Sequence, residues 1–123
     1  MPALTVVVLT KNEEQFIERC LRSVDWADEV LVLDSGSSDR TREIAASLGA
    51  NVYEQGWLGY AQQRNKAISL AKHDWVFFVD CDEIVTQELA RSIQEAMSDS
   101  MDERDGYSVD RRGDLLGLLL PNI

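Results

Sequence analysis

The sequence predicts an α/β domain built on a largely parallel sheet, and three observations carry that prediction. Apolar runs of strand length recur at Leu4–Leu9, Val30–Leu33 and Trp75–Val79. The stretches between them carry apolar residues at helical spacing. The second and third runs each end abruptly in an acid, Asp34 and Asp80. Strands that read as continuous apolar runs are buried on both faces, as in parallel sheets covered by helices. Ligands of such sheets bind beyond the carboxyl ends of the strands, which is where these acids fall.

Each element can be justified in turn. Leu4–Leu9 is apolar and β-branched, hence a buried strand. Phe16, Ile17, Cys20, Leu21 and Val24 recur at helical spacing, with Asn12 as the expected N-cap and Glu13 and Glu14 in a first turn whose dipole favours acids. Val30–Leu33 forms the second strand. Ser35-Gly36-Ser37-Ser38-Asp39 is a turn cluster feeding a helix with Ile44, Ala45 and Leu48 on one face, with Asp39 read as an acid of its first turn. Gly49 stops that helix. Asn51–Glu54 reads as a short, weaker strand, and residues 59–72 as a helix bearing Ala67, Ile68 and Ala71. Beyond the third apolar run, Thr86 can cap a helix bearing Leu89, Ile93 and Met97. Gln94–Gly106, rich in serine and acids, reads as loop.

Composition sets limits. A chain of 123 residues with 45% hydrophobic content can bury one core, so one domain is expected. Its net charge of −10 is spread along the chain, with no basic patch, which argues against nucleic acid as a partner. An anionic substrate would need a metal to approach such a surface. Cys20 and Cys81 make no disulfide framework, and no secretory signal opens the chain, so a reduced, cytoplasmic setting is expected. The apolar run Leu115–Leu120 is far shorter than the ~20 residues of a spanning helix.

The chemistry concentrates at Asp80-Cys81-Asp82-Glu83. Asp80 and Asp82 stand close enough to share one hard divalent cation, and all-oxygen ligation suits Mg²⁺ or Mn²⁺ together with substrate phosphates. The plainer reading is a solvated acidic turn leading into the next helix, and this stretch alone does not choose. Trp57, in Gly56-Trp57-Leu58-Gly59-Tyr60, can line a ligand pocket, although a tryptophan there is more often core.

Five motifs in order break the tie. Val8-Leu9-Thr10-Lys11-Asn12-Glu13-Glu14 is followed by Arg19-Cys20-Leu21-Arg22-Ser23-Val24 with Trp26-Ala27-Asp28-Glu29. Val32-Leu33-Asp34-Ser35-Gly36-Ser37-Ser38-Asp39-Arg40-Thr41, Gln63-Arg64-Asn65-Lys66-Ala67 and Asp80-Cys81-Asp82-Glu83 complete the series. Together they resemble the N-terminal half of a family 2 glycosyltransferase, and within that family the lipopolysaccharide-core β-1,4-glucosyltransferase group, over roughly residues 3–112. The resemblance implies a GT-A, Rossmann-like three-layer sandwich with a mostly parallel central sheet as a nucleotide-diphosphosugar-binding domain over residues 1–112, and an atypical tail over 113–123. It implies a nucleotide-sugar donor, such as a UDP-sugar, bound with Mn²⁺ or Mg²⁺. The reaction implied is inverting transfer to a lipopolysaccharide-core or related glycan or glycolipid acceptor. The setting implied is the cytoplasmic face of the inner membrane, with peripheral association.

The resemblance also assigns roles. Thr10 and Asn12 would meet the nucleoside, Asp34 would accept hydrogen bonds from base or ribose, and Gly36 would let the backbone approach the ligand. Arg64 would reach a phosphate or the base, against the alternative of a solvated helix residue. Asp80 and Asp82 would hold the cation against the diphosphate, with Asp80 also on the nucleotide sugar. Two departures stand out. Many relatives carry a second acid where this chain has Ser35, and most carry alanine where it has Cys81, whose thiol would suit softer metals or oxidation. The carboxylate base of such enzymes lies well after the metal motif, so it is expected beyond Ile123 and the chain reads as truncated, with an exposed face prone to self-association. A nucleotidyltransferase would want a glycine-rich loop after the first strand, and Thr10–Glu14 has no glycine. A non-catalytic nucleotide-sugar-binding module is the other rival.

Overall fold

The computed structural model describes residues 3–99 and 119–121. Strands β1 (Leu4–Thr10), β2 (Glu29–Asp34), β3 (Asn51–Glu54) and β4 (Trp75–Asp80) alternate with helices α1 (Ile17–Ser23), α2 (Thr41–Ser47) and α3 (Tyr60–Leu70). Helix α4 (Gln87–Asp99) and a short β5 (Leu119–Pro121) follow. The sheet order is β3-β2-β1-β4-β5. β1 pairs in parallel with β2 and β4, and β2 with β3, whereas β5 runs antiparallel to β4. The expected mostly parallel α/β sandwich is therefore the observed architecture.

Strand alternation divides the core in two. Val6, Val8, Val32, Phe77 and Val79 face a layer that holds Ile17, Cys20, Leu21 and Val24 of α1, Ala45 of α2 and Leu89, Ile93 and Met97 of α4. Val7, Leu31, Leu33 and Val76 face the opposite layer, with Ala67 of α3. Burial on both faces is what makes β1, β2 and β4 continuous apolar runs. β3, at the sheet edge, is only half-buried, which fits its weaker sequence signal.

At the ends opposite Asp34 and Asp80, the buried Glu29 ties three elements together. It accepts hydrogen bonds from the Thr5 hydroxyl (2.8 Å), the Asn51 side-chain amide (2.7 Å) and the Lys72 backbone N–H (2.9 Å). Burial by itself would raise its pKa, but these bonds and the Lys72 charge hold it below the usual glutamate value.

Four local expectations need correction or completion. α1 begins at Ile17, not beside Asn12, because Asn12 sits in the left-handed region at φ 53 and cannot begin a right-handed helix. Glu13 and Glu14 consequently precede the helix, and the Glu13 carbonyl accepts from Phe16 and Ile17 N–H in a turn. α4 continues through Asp99 instead of yielding to loop at Gln94, because Ile93, Ala96 and Met97 extend its buried stripe. β5 within the apolar tail was not expected. Thr86 does cap α4, through Leu89 N–H to its hydroxyl at 3.1 Å, and Gly49, at φ 90, follows the end of α2. The expected strand at Gly106–Arg112 and the boundary at 112/113 lie outside the described residues. Among the described residues, no helix is long and apolar enough to cross a membrane.

Candidate functional site

The register brings the motif residues to one edge of the sheet. Thr10 lies opposite Asp34, and Leu9 lies beside Asp80. Here a cleft of about 360 Å³ opens at the carboxyl ends of β1, β2 and β4. Leu9, Thr10 and Leu33 form its floor, Asp80, Cys81 and Asp82 one wall, and Trp57, Tyr60 and Gln63 another. Lys11, Glu13 and Ser35 complete the lining.

Asp80 and Asp82 are both exposed, while Cys81 between them is 3% exposed and belongs to the core beneath α1. The Cys20 thiol donates to the Asp80 carbonyl at 3.7 Å. Its pairing with Cys20, then burial, then the negative charges of Glu13 and Asp82 push the Cys81 thiol far above its ordinary pKa. The Cys81 side chain is thus packed into the core beside Cys20, and the exposed donors on this wall are the two aspartate carboxylates. The donor set is oxygen only. Among the described residues no three His, Cys, Asp or Glu side chains gather to hold a metal by themselves. The two aspartates therefore suit a hard cation whose remaining positions go to substrate oxygens and water. Glu13 marks the local potential: burial, then Asp82, Asp39 and Asp80, raise its pKa.

The loops after β1 and β2 are stitched together. Asp34 has no exposed surface. It accepts from the Thr10 hydroxyl (2.7 Å), the Ser37 hydroxyl, and the backbone N–H groups of Ser37 (2.7 Å) and Gly36 (3.0 Å). Arg42 Nε stands 3.9 Å away. Burial alone would raise the Asp34 pKa, but the Ser37, Thr10 and Gly36 hydrogen bonds outweigh it and hold the carboxyl below its usual range. Asn12 donates its backbone N–H to Ser37 Oγ (2.7 Å) and accepts the Ser38 N–H on its side-chain carbonyl (2.8 Å). Glu13 N–H reaches Thr41 Oγ1 at 2.8 Å. Asp39, just ahead of α2 rather than in its first turn, accepts from Thr41 and from Glu14 N–H (3.2 Å).

The anticipated binding residues thus divide. Thr10, Asp80 and Asp82 line the cleft; Asn12, Asp34, Gly36 and Arg64 do not. Asp34 and Asn12 spend their side-chain acceptors on the two loops. At Gly36, φ is 113, a backbone conformation that side chains rarely adopt, and a Cβ there would meet no protein atom within 4 Å. Arg64 is exposed on α3, its guanidinium 4.8 Å from the centre of the Phe78 ring.

Sequence reasoning missed Lys11, Glu13, Ser35, Tyr60 and Gln63 as lining residues and weighed Trp57 toward the core, whereas Trp57 is 52% exposed. The available signal was the aromatic cluster between a half-buried strand and a helix.

Known proteins resemble this chain in sequence and in fold. Residues 5–117 match the model of glycosyl transferase family 2. An uncharacterized glycosyltransferase of Rickettsia bellii is 45% identical over 74% of the chain and 31% of its own length. A lipopolysaccharide core biosynthesis glycosyltransferase, LpsC, of Rhizobium meliloti is 32% identical over 93% of the chain and 44% of its own. The chain thus spans less than half the length of these relatives. Among solved structures, the mannosyltransferase of Pyrobaculum calidifontis in complex with GDP-Man and Mn²⁺ superposes with a TM-score of 0.74 at 26% identity, over 90% of this chain and 36% of that one. Glucosyl-3-phosphoglycerate synthase of Mycobacterium tuberculosis with Mn²⁺, UDP and phosphoglyceric acid gives 0.70 at 25% identity, over 88% and 42%.

Proposed function

From a chain that belongs to glycosyl transferase family 2, we propose the donor half of an inverting glycosyltransferase, binding a nucleotide-diphosphate sugar in the cleft beyond β1, β2 and β4. The observation that carries this is the pair Asp80 and Asp82, exposed on the cleft wall with no third protein ligand gathered among the described residues. A site of that kind is incomplete without substrate oxygens. Bound there, Mn²⁺ or Mg²⁺ supplies charge neutralisation of the departing diphosphate.

The chain's own groups do the rest. Thr10 and Asp80 face the donor, while Asn12, Gly36 and Asp34 hold the loops that shape the wall. Arg64 adds positive charge near the diphosphate. Phe78, under its guanidinium, lies two residues before Asp80, a spacing of roughly 7 Å along a strand. We place the acceptor-activating carboxylate beyond Ile123, in the part of the relatives' length that this chain does not span. A lipopolysaccharide-core or related glycan at the cytoplasmic face of the inner membrane is the acceptor we propose, supported by the LpsC likeness. Calorimetry with UDP and with GDP, each with Mn²⁺, tests the donor reading. Asp82→Asn should abolish the metal-dependent part of the affinity, and an unchanged Mn²⁺ dependence refutes the assignment.

A further inference from the structure

The cleft has an aromatic wall that the metal chemistry does not use. Trp57 is 52% exposed and Tyr60 75%, and their rings meet edge to face at 4.9 Å. Leu58 between them is also exposed. Trp57 and Tyr60 both line the cleft, and exposed apolar side chains grouped in a groove mark ligand-binding surfaces.

The loop that carries them is tied to α3 at two points. Gln63 is 1% exposed, a polar side chain buried in the first turn of α3. Its amide donates to the Gln55 carbonyl at 3.0 Å, and its carbonyl accepts the Leu58 N–H at 3.1 Å. One side chain thus clamps both sides of the segment bearing Trp57. Gln55 N–H extends the sheet by donating to the Asp34 carbonyl at 2.8 Å. Gly59, at φ 99, provides the left-handed turn into α3. A loop already tied down at two points has less freedom to lose when a ring stacks on it.

Position along the sheet edge says which part of a ligand the wall meets. Three strand spacings of about 4.8 Å separate β3 from β4 in the order β3-β2-β1-β4. The segment leaving β3 therefore starts roughly 14 Å from the end of β4, so Trp57 and Tyr60 enter the cleft from the β3 side of the sheet and the acid pair from the β4 side. A sugar bonded directly to the diphosphate stays beside Asp80 and Asp82. The flat group that a ribose holds away from the diphosphate is the base. We infer that Trp57 and Tyr60, positioned by Gln63, form the stacking surface for the nucleobase of the donor. This rests on the donor reading above and adds the residues that recognise its base.

Calorimetry on the 123-residue chain with Mn²⁺ tests the assignment, using UDP and GDP as nucleotides and inorganic pyrophosphate as the probe without a base. Trp57→Ala should weaken the tighter-binding nucleotide by about tenfold, the scale of one base–aromatic stack, and leave pyrophosphate unchanged. Trp57→Phe should restore most of the loss. Gln63→Leu, a change in a positioning residue, should weaken the nucleotide and spare pyrophosphate while Trp57 is intact. The exposed Trp57 variants should melt with wild type. Equal nucleotide affinity in Trp57→Ala, or an equal loss for pyrophosphate, overturns the inference and leaves the donor reading standing. A wild-type chain that binds neither nucleotide nor pyrophosphate overturns both.

Discussion

Replacing Asp34 separates a loop anchor from a ligand contact. In this fold the carboxylate accepts four hydrogen bonds, from the Gly36 and Ser37 N–H groups on one oxygen and the Thr10 and Ser37 hydroxyls on the other. Asparagine can keep an acceptor toward the N–H groups, and the hydroxyls can rotate to accept from its amide. The loss is then the charge assistance, about 2 kcal/mol in all from the difference between charged and neutral bonds. Alanine removes both acceptors and leaves the buried Ser37 and Thr10 without them, which should cost about 4 kcal/mol. At about 4 °C per kcal/mol for a domain of this size, the melting temperatures should step down in that order. Urea denaturation should show falling midpoints at constant m. The pH dependence has a definite sign. Asp34 is held below its ordinary value of 3.8, so its contribution is complete above that value and is lost as pH falls through the lower folded value. The gap between wild type and Asp34→Asn should be flat from neutral pH to about pH 5 and shrink below about pH 4. Variants as stable as wild type that nonetheless lose UDP would show Asp34 to be a ligand contact and refute this account.

Glu29→Gln should destabilise by about 1.5–3 kcal/mol, read by urea midpoint, with the wild-type advantage again fading as pH falls below the glutamate range because its folded pKa is lowered. Cys81→Ala should leave the Mn²⁺ dependence of UDP binding intact, since the thiol faces Cys20 and the core; a shift of preference toward Cd²⁺ in wild type that vanishes in the variant would count against this. The 123-residue chain with UDP-sugar, Mn²⁺ and a lipopolysaccharide-core acceptor should release no UDP at a useful rate, because general-base assistance of about 10²–10⁴-fold is expected from residues beyond Ile123. UDP release at the rate of a longer relative would place the base within this chain.

The sheet was legible because β1, β2 and β4 are buried on both faces and must be apolar at every position, a pattern that needs no neighbour to be read. The acids at the ends of β2 and β4 were legible for the same reason, as interruptions. What they do was less so. Asp34 and Asp80 look alike in sequence, yet one has four donors around it and no exposed surface and the other stands open on a cleft. The difference comes from small hydroxyl residues at 10 and 37, brought together only by register and turn. Asn12 misled as a helix cap because its left-handed backbone is fixed by Ser37 and Ser38, which lie on another loop. Gln63 reads as a solvated helix position and is buried because its amide has two backbone partners eight and five residues earlier. Trp57 read toward core by size, yet it stands exposed on the loop that Gln63 clamps.

The spacing Asp-x-Asp gains its meaning from what the middle residue must do. Asp80 ends β4 on the same side as Phe78, in the row that meets α3. The chain then turns, with Glu83 N–H donating to the Asp80 carbonyl at 2.9 Å. Within that turn position 81 drops into the core beneath α1, and position 82 returns to water. Two carboxylates reach the cleft because the residue between them is apolar enough to anchor the turn. A polar residue at 81 would pull the turn outward and carry both acids with it. Cys81 satisfies the requirement through Cys20 and the surrounding core, which gives the residue between the two acids a packing role.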